Sequence, residues 1–494
     1  MIHKDLRDWI DMADKHGEVK YLSGADTDLE MASIVELMAQ RPQESKPVVI
    51  FDDIPGHRKG YRALFGLFGS TWRLAKTLGL PEDESDRMGL LRNWRNKVKS
   101  MEMIPPKVVK DGPILANVDE GDKIDLLKFP TPRCHELDGG RFFGTAHGVI
   151  QRDPDSGYVN VGTYRSQLID RNHLAMHVLE AQHGGMIMNK KYFERGKYMP
   201  IVIAAGMDPT LWFASCHRSV PWGVSEYDFT GGIKGEPIEV IEGKYTGLPI
   251  PAHAEIAVEG ECRFDKLVDE GPFGEWHGYY GNLGLKPVPE PIIDVKAVYY
   301  RDNPILTCQP PTIPTYDLAN LMLAVGNSNS LWGRLEACGI PGVKGVWCHS
   351  ETTGESLFVV VSIDQMYQGH SRDVGLVAST YPTVGRYTIV VEDDIDPSNM
   401  REVIWAICTR GKPDQAIQIL NRCRTQNSDP TILMEEKLKF KVTPKPLFNS
   451  RVIIDACRPL EGKPEWYPIN RMSAELQARI AEKWQKEIDK FWSK

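Results

Sequence analysis

The middle of the chain, from about residue 114 to residue 300, restricts the possible fold more than any other part. Short apolar or alternating segments follow one another there, separated at modest intervals by Gly, Pro and Asp. A series of short strands with turn signals between them is typical of a barrel or a sandwich rather than a doubly wound sheet. The predicted strands cover residues 144–151, 158–167, 201–205, 238–241, 254–258 and 291–300. One amphipathic helix, residues 174–182, is predicted to interrupt them.

The segment before this region mixes helical and strand patterns. Apolar residues recur at helical spacing in residues 6–13 and 31–38, and residues 47–51 form an apolar run typical of a buried strand. A further helix is predicted at residues 71–78. Two prolines at 105–106 then break the pattern, which indicates that a first α/β domain ends there.

Helices and strands alternate again after residue 300. Residues 318–323 and 400–409 show helical spacing, whereas residues 358–363 and 387–392 are apolar strands. The chain closes with an amphipathic helix, residues 473–492, whose apolar residues form one stripe. Such a terminal helix either covers another subunit or docks on its own domain.

Charge and cysteine content limit the classes of function. The 494 residues carry a formal net charge of -8, which argues against nucleic acid or an anionic membrane surface as the main partner. The nine cysteines include no Cys-x-x-Cys pair and are expected to be reduced thiols of a cytoplasmic protein. The first residues are charged and lack the apolar core of a signal peptide, and no uncharged apolar run is long enough to span a bilayer.

Residues 160–167 show the pattern of a half-buried strand and carry two polar side chains suited to ligands. Asn160 and Arg165 are five residues apart, so they face opposite sides if the strand is regular. One face would then hold a metal or a phosphate, and the other a substrate anion. The guanidinium of Arg165 is planar, always charged and able to bind a carboxylate or phosphate bidentately. The alternative is a hydrogen-bonded structural Asn and a surface Arg.

Glu270 and Glu275 form a carboxylate pair in a loop that contains two glycines and a proline. These residues favour a compact loop, so both carboxylates can point into one cavity. Beside an arginine, one carboxylate stays ionised against the cation while the other gives or takes a proton. Trp276 directly follows the pair and either lines a substrate cavity or fills the core. The alternative for the loop is a solvated surface turn without chemistry.

Several motifs occur together in one order along the chain. They are residues 160–167, 182–183, 223–227, 270–280, 367–370 and 392–397, the last continued by 405–410. In this order they resemble the motifs of UbiD-type decarboxylases over nearly the full chain. The resemblance implies an α/β fold in which a central split β-barrel of the flavin-reductase-like type binds prenylated FMN. The domains are expected at residues 1–112 (α/β), 113–300 (barrel) and 301–494 (α/β, for oligomerisation, with the terminal helix).

The resemblance also implies two ion sites. Asn160, His183 and Glu226 are expected to bind a divalent metal, usually Mn²⁺, which holds the cofactor phosphate. Their amide, imidazole and carboxylate donors suit that ion. A potassium ion is expected nearby, beside Ala214 and Ser215. The residues expected to bind the cofactor are Asn160, Thr163, Tyr164, Arg165, Gln182, His183, Ser215, Glu226 and Arg386.

Catalytic roles follow from the same resemblance. Arg165 is expected to orient the substrate carboxylate, Glu270 to hold Arg165, and Glu275 to protonate the carbon after CO₂ leaves. Arg386 stands where the family commonly has a lysine that contacts the phosphate. That difference keeps the charge but changes the geometry of the contact.

The implied function is the reversible, non-oxidative decarboxylation of an aromatic, heteroaromatic or α,β-unsaturated acid. The modified flavin would delocalise the charge left on carbon when CO₂ departs. The implied partners are the acid, CO₂ and a flavin prenyltransferase that supplies the cofactor, with no nucleic acid and no membrane, in a homodimer or homohexamer. Two alternatives stay open: a metal-dependent lyase or hydrolase without flavin, and a non-catalytic subunit of a carboxylase complex.

Overall fold

The computed structural model describes most of the chain in eleven segments. These are residues 3–41, 46–81, 86–216, 220–281, 283–313, 320–353, 356–381, 385–442, 446–461, 466–470 and 472–490. In these segments, no helix combines the length and the apolar character that a membrane crossing requires.

The largest element is a nine-stranded sheet in the middle of the chain, and all its pairings are antiparallel. Eight strands follow one another across it: Phe142–Gly144, Ser166–Leu168, His173–Met176, Val288–Tyr300, Ile256–Glu270, Met199–Ala205, His147–Arg152 and Val159–Gly162. The ninth, Asn117–Glu120, pairs with Val288–Tyr300. The predicted α/β fold with a central barrel is thereby confirmed.

Two short connections require this sheet to curl. Strands at its opposite ends are joined directly in sequence, by residues 145–146 and by residues 163–165. Because an extended residue spans only about 3.3–3.6 Å, the two ends of the sheet must lie close together. The sheet therefore forms a barrel that is left open along one line, here called the split.

A four-stranded sheet lies on the N-terminal side. Its order is Val19–Ser23, Val48–Asp52, Arg62–Phe65 and Ile305–Cys308. The last strand pairs in parallel with the third, so the chain returns to this sheet after completing the barrel. A separate three-stranded sheet consists of Pro249–Pro251, Glu239–Glu242 and Lys107–Val108.

A five-stranded mixed sheet organises the C-terminal part. Its order is Val343–Cys348, Phe358–Ile363, Tyr387–Glu392, Phe448–Asp455 and Ile417–Arg424. The described α-helices of the whole chain are Leu6–Lys15, Glu30–Ala39, Thr71–Thr77, Arg87–Ser100, His183–Met186, Pro209–Cys216, Glu226–Lys234, Asn320–Ala337, Ser350–Thr353, His370–Ser379, Met400–Arg410, Pro413–Ala416, Met434–Val442 and Ala474–Lys490. A π-helical turn, Ile187–Tyr192, extends the short helix at His183.

One apolar core joins the three regions of the chain. It contains four fully or almost fully buried tryptophans, namely Trp9, Trp94, Trp212 and Trp347. The barrel strand Met199–Ala205 is buried on both faces, because Val202 and Ala204 enter this core while Ile201 and Ile203 enter a second one. Burial on both faces explains why this strand appears in the sequence as a continuous apolar run.

Three details of the predicted secondary structure are wrong. Residues 174–182 are not a helix, because His173–Met176 pairs as a strand with Val288–Tyr300 and the helix begins only at His183. The predicted single strand at 158–167 is two strands on opposite sides of the split. The strand predicted at 238–241 lies in the small three-stranded sheet and not in the barrel.

The terminal helix is confirmed as Ala474–Lys490, and residues 491–492 of the prediction lie outside the described residues. In the single chain its apolar stripe is open to solvent, since Trp484 and Ile488 are both exposed. The predicted homo-oligomer stays a prediction, as do the domain bounds.

The split is bridged by a buried histidine. His147 begins the strand His147–Arg152, next to the edge strand Val159–Gly162, and its Nε2–H donates to the carbonyl oxygen of Tyr164, 2.8 Å away, in the connection that crosses the split. Its Nδ1 has no hydrogen-bond partner among the described residues. Burial lowers the pKa of His147 to about 4, so the ring is neutral near pH 7.

His147 is therefore predicted to make the protein sensitive to acid. Its pKa is lower folded than unfolded, so its stabilising contribution is present above about pH 6.5 and is lost as the pH falls towards 4. Between pH 7 and pH 5 this loss is about 2 kcal/mol. Urea unfolding of His147→Gln should show a weaker dependence of the unfolding free energy on pH. The control variant is His16→Gln, at an exposed position. Equal pH dependence of the unfolding free energy in His147→Gln and wild type would contradict the assignment.

Candidate active site

Arg165 lies in the three-residue connection that crosses the split. The edge strand Val159–Gly162 ends just before this connection, and Ser166–Leu168, the second strand from the other end of the sheet, begins directly after it. The connection is held at both ends, because Thr163 donates its hydroxyl to the carbonyl oxygen of His147 at 3.0 Å and the carbonyl oxygen of Arg165 accepts the N–H of His177 at 3.1 Å. Arg165 thus projects from a short, fixed connection and not from the regular strand that the sequence predicted.

Glu270 is the last residue of the long strand Ile256–Glu270, and the acidic loop follows at once. Gly271 takes up a left-handed conformation with φ of 80°, which turns the chain away from the strand. Its N–H donates to Oε1 of Gln167 at 2.6 Å, which ties the loop to the strand that follows Arg165. Gly139 packs so closely that an added Cβ would lie 1.8 Å from the carbonyl oxygen of Gly271.

Arg165 is held between the two carboxylates predicted from the sequence. Its Nε and Nη2 donate to the two oxygens of Glu270 at 2.7 and 2.9 Å, which is a bidentate pair. Its Nη1 donates to Oε1 of Glu275 at 2.7 Å. The ring of Phe273 lies 5.0 Å from the guanidinium carbon and covers it from one side.

The electrostatics of this group depend on its burial. The side chain of Arg165 is 10 % exposed, that of Glu270 is fully buried, and that of Glu275 is 13 % exposed. Burial alone would lower the pKa of Arg165, but the charges of Glu270 and Glu275 outweigh it and raise that pKa. With both carboxylates ionised, the three side chains sum to one negative charge. Of the two carboxylates, Glu275 is the one that solvent reaches.

A second cluster surrounds the end of Val159–Gly162. Tyr158 places its hydroxyl 3.3 Å from Oδ1 of Asn160 and 3.3 Å from Nδ1 of His183. Asn160 donates its amide to the hydroxyl of Tyr164 at 3.3 Å, and that hydroxyl accepts the N–H of Gly184 at 2.9 Å. The structure therefore brings Asn160 and His183 together through two tyrosines.

Glu226 joins this cluster from the helix Glu226–Lys234. Its Oε2 accepts the N–H of Val161 at 2.6 Å, directly beside Asn160. Burial raises the pKa of Glu226 to about 8, and no cation among the described residues offsets that burial. A divalent ion would supply the missing positive charge, so the donor set fits a metal.

The donor types of the cluster decide which ions it suits. The described residues contain no group of three or more His, Cys, Asp or Glu side chains that could hold a metal, so the predicted set relies on the amide oxygen of Asn160. Burial lowers the pKa of His183, which keeps its imidazole neutral and able to coordinate. One amide, one imidazole and one carboxylate suit an ion such as Mn²⁺ with phosphate oxygens completing its shell.

The remaining predicted cofactor residues lie in three places. Thr163 and Ser215 meet where the helix Pro209–Cys216 reaches the split, with their hydroxyl oxygens 3.0 Å apart. Gln182 precedes the helix at His183 and accepts the N–H of Leu179 with its side chain at 3.0 Å. Arg386 is separate, because in the described residues it pairs with Asp429 and Thr431 of the C-terminal region.

Sequence reasoning missed several residues that shape these clusters. Tyr158 carried a usable signal, since it lies two residues before Asn160 and so on the same face of the strand. Gln167 likewise lies two residues after Arg165. His147 and Trp222, whose ring packs edge-on to His183 with centroids 5.3 Å apart, gave no local signal. Trp276 was not missed: of the two roles predicted for it, lining a substrate cavity or filling the core, the structure shows it half-buried and packed against the main core.

Family models match three consecutive parts of the chain. They are the 3-octaprenyl-4-hydroxybenzoate carboxy-lyase N-terminal domain at residues 10–88, the Rift-related domain at 107–314 and the C-terminal domain at 320–456. Together they cover most of the sequence and follow one another in the order that the family has.

Named relatives and solved structures agree with these models. The chain is 32 % identical over 435 residues to the pyrrole-2-carboxylic acid decarboxylase of Pseudomonas aeruginosa, covering 83 % of this chain and 82 % of that protein. The vanillic acid decarboxylase of Sedimentibacter hydroxybenzoicus, in its open form, matches with a TM-score of 0.82 and 25 % identity over all of both chains.

A third match is the UbiD-class enzyme HmfF of Pelotomaculum thermopropionicum, solved in complex with FMN. It has a TM-score of 0.82 and 25 % identity, over 97 % of this chain and all of that one. The resemblance seen in the sequence motifs is thereby confirmed. The chain belongs to the UbiD family, and it is a carboxy-lyase of that family.

Proposed function

We propose that this enzyme catalyses the reversible, non-oxidative decarboxylation of an aromatic, heteroaromatic or α,β-unsaturated carboxylic acid with prenylated FMN as its cofactor. The observation that carries the proposal is the guanidinium of Arg165, fixed between Glu270 and Glu275 at the split of the barrel. The named relatives act on pyrrole-2-carboxylic acid and vanillic acid, which supports a planar acid as substrate.

Arg165 binds and orients the substrate carboxylate. A guanidinium has five N–H groups, and three of them are used by Glu270 and Glu275. The other two have no partner in the described part of the chain, so they are available to an incoming carboxylate. The bidentate contact with Glu270 keeps the guanidinium plane fixed while the acid binds, which lowers the entropic cost of orientation.

Glu275 supplies the proton. The reaction exchanges a carboxylate for hydrogen: the bond from carbon to CO₂ breaks, the electron pair stays on carbon, and a proton then bonds to that carbon. Prenylated FMN, when bound, supplies the conjugated system that delocalises the electron pair. Glu275 is within hydrogen-bond distance of Arg165 and is partly open to solvent, so it can be protonated again after each turnover.

Asn160, His183 and Glu226 hold a divalent metal, most simply Mn²⁺, together with the cofactor phosphate. The raised pKa of Glu226 supports this assignment, because burial disfavours the charged carboxylate and a divalent cation would stabilise it. Thr163, Ala214 and Ser215 lie beside the split and would supply oxygen ligands for a potassium ion.

The proposal is tested by making the protein with and without a flavin prenyltransferase in the same cells. The purified protein is given carboxyl-labelled aromatic, heteroaromatic and cinnamic acids, and the labelled CO₂ is measured. We expect release only from the protein that carries the modified flavin. Release by flavin-free protein would favour a metal-dependent lyase instead, and no release from any acid would contradict the proposal.

The metal assignment predicts the behaviour of Glu226→Gln. This variant keeps the size of the side chain but removes its charge, so metal and flavin should both fall below about one tenth of wild-type occupancy. Metal analysis and the flavin absorbance of the purified protein measure this directly. Glu236→Gln, an exposed residue just after the same helix, should retain both, and full occupancy in Glu226→Gln would remove Glu226 from the site.

The proton donor is tested with Glu275→Gln. The amide keeps the hydrogen bond to Arg165 but has no proton to transfer, so kcat should fall by about 100- to 10,000-fold at equal flavin and metal content. Incorporation of deuterium from heavy water into the product should be lost with it. The exposed Asp269→Asn serves as the control, and substantial turnover by Glu275→Gln would assign the proton donor to another residue.

A further inference from the structure

The proposed proton donor begins a tight turn, residues 275–281, which lies between the barrel strands Ile256–Glu270 and Val288–Tyr300 and contacts the C-terminal region. Within this turn the N–H of Glu275 donates to the carbonyl oxygen of Tyr279 at 2.9 Å, and the N–H of Gly281 donates to the same oxygen at 2.8 Å. From the barrel side, the hydroxyl of Tyr280 donates to Asp138 at 2.9 Å. The turn is thus internally rigid, and its position depends on what holds its ends.

The far side of the turn is held by a segment more than 140 residues later in the chain, residues 428–437, here called the clamp. The ammonium of Lys437 donates to the carbonyl oxygen of Gly281. The Nε2–H of His277 donates to the carbonyl oxygen of Ser428 at 2.7 Å, while its Nδ1 accepts the N–H of Tyr279 at 3.3 Å. One neutral tautomer of His277 satisfies both contacts.

The clamp and the turn approach too closely for a side chain between them. An added Cβ on Gly281 would lie 2.5 Å from the ring of His277 and 2.7 Å from the carbonyl oxygen of Ser428. Such distances require that one of the partners move. Glycine at this position therefore permits the contact.

The clamp is itself fixed to the C-terminal sheet through Asp429, which is fully buried. Its carboxylate accepts from the hydroxyl of Thr425 at 2.6 Å and from the amide of Asn449 at 3.1 Å, and it pairs with Arg386. The burial of Asp429 raises its pKa, but these donors outweigh it and lower the pKa to about 2, so the residue is ionised. Arg386 is consequently engaged in anchoring the clamp.

Lys437 is an unusual residue to find at this position, because its side chain is only 2 % exposed. Burial lowers its pKa, and the charges of Asp429 and Glu275 act in the opposite direction. A buried ammonium is retained only where carboxylates and carbonyl oxygens surround it. Lys437 therefore lies in the field of Glu275 as well as in contact with its turn.

We propose that Lys437 is a positioning residue for the proton donor, by which the C-terminal region sets where Glu275 stands relative to Arg165. This rests on the proposed role of Glu275 as the acid. The proton reaches the substrate carbon only when the barrel and the C-terminal sheet are held in one relative position. The contacts of Lys437 and Ser428 with the turn hold them there. Loss of the clamp displaces the donor while the flavin and metal residues stay in place.

The first test measures the turn itself in the full-length protein. Lys437→Met keeps a side chain of similar length without charge or donor, and the exposed Lys439→Met on the same helix is the control. Amide hydrogen exchange of residues 275–281, followed by mass spectrometry, should be about tenfold faster in Lys437→Met and unchanged in Lys439→Met. Equal exchange in Lys437→Met and wild type overturns the proposal.

The second test measures catalysis with the flavin-loaded enzyme and an acid that it decarboxylates. Lys437→Met should lower kcat by about ten- to a hundredfold, with KM and flavin occupancy within about twofold of wild type, because only the donor is misplaced. Gly281→Ala places a methyl group between the turn and the clamp. It should likewise lower kcat while KM and flavin occupancy stay within about twofold of wild type. A purely structural role would instead lower flavin occupancy and kcat together in both variants, and that result contradicts the proposal.

The two tests separate this proposal from the proposed function. If the wild-type enzyme releases no CO₂ from any acid, the role of Glu275 falls and the positioning role falls with it, whatever the exchange rates are. If the wild-type enzyme is active and Lys437→Met matches it in kcat, the proposed function stands and Lys437 has no positioning role.

Discussion

The pairing of one nearly buried guanidinium with two carboxylates is the interaction on which the candidate active site depends. Removing one partner of a buried ion pair typically costs about 3–5 kcal/mol, because the other charge is left without compensation. Here Arg165 comes from the connection across the split, while Glu270 and Glu275 come from the end of a long strand and the loop after it. The pairing therefore fixes two separate parts of the barrel relative to each other.

The open line of the barrel explains why both clusters lie on one short segment. Asn160 is on the last strand before the split, Thr163 and Arg165 are in the connection across it, and Gln167 follows on the strand Ser166–Leu168 beyond it. This one segment therefore carries both the cluster around Asn160 and the guanidinium of Arg165.

Much of this organisation could be predicted from the sequence. The series of short strands with turns between them predicts a barrel or a sandwich, and the resemblance to UbiD-type decarboxylases implies the barrel. The strands 358–363 and 387–392 were predicted at the observed bounds, because purely local apolar runs define them. The helix predicted at residues 174–182 failed, since pairing with Val288–Tyr300 overrides a local helical pattern.

Contacts between distant parts of the chain could not be predicted. His277 meets Ser428 and Lys437 meets Gly281 across more than 150 positions, and neither segment carries a periodic pattern that indicates the other. Arg386 illustrates the same limit: its charge was recognised, but its buried partner Asp429 is visible only in three dimensions. The motifs locate the chemical groups, whereas the fold decides which of them meet.

The most direct measurement is the crystal structure of the flavin-loaded enzyme with a bound acid. The account predicts that the acid carboxylate lies about 3 Å from the unoccupied N–H groups of Arg165, with the bidentate contact to Glu270 intact. It further predicts that the carboxylate of Glu275 faces the carbon that bears the acid group. A carboxylate bound elsewhere, with Arg165 still enclosed by Glu270 and Glu275, would contradict it.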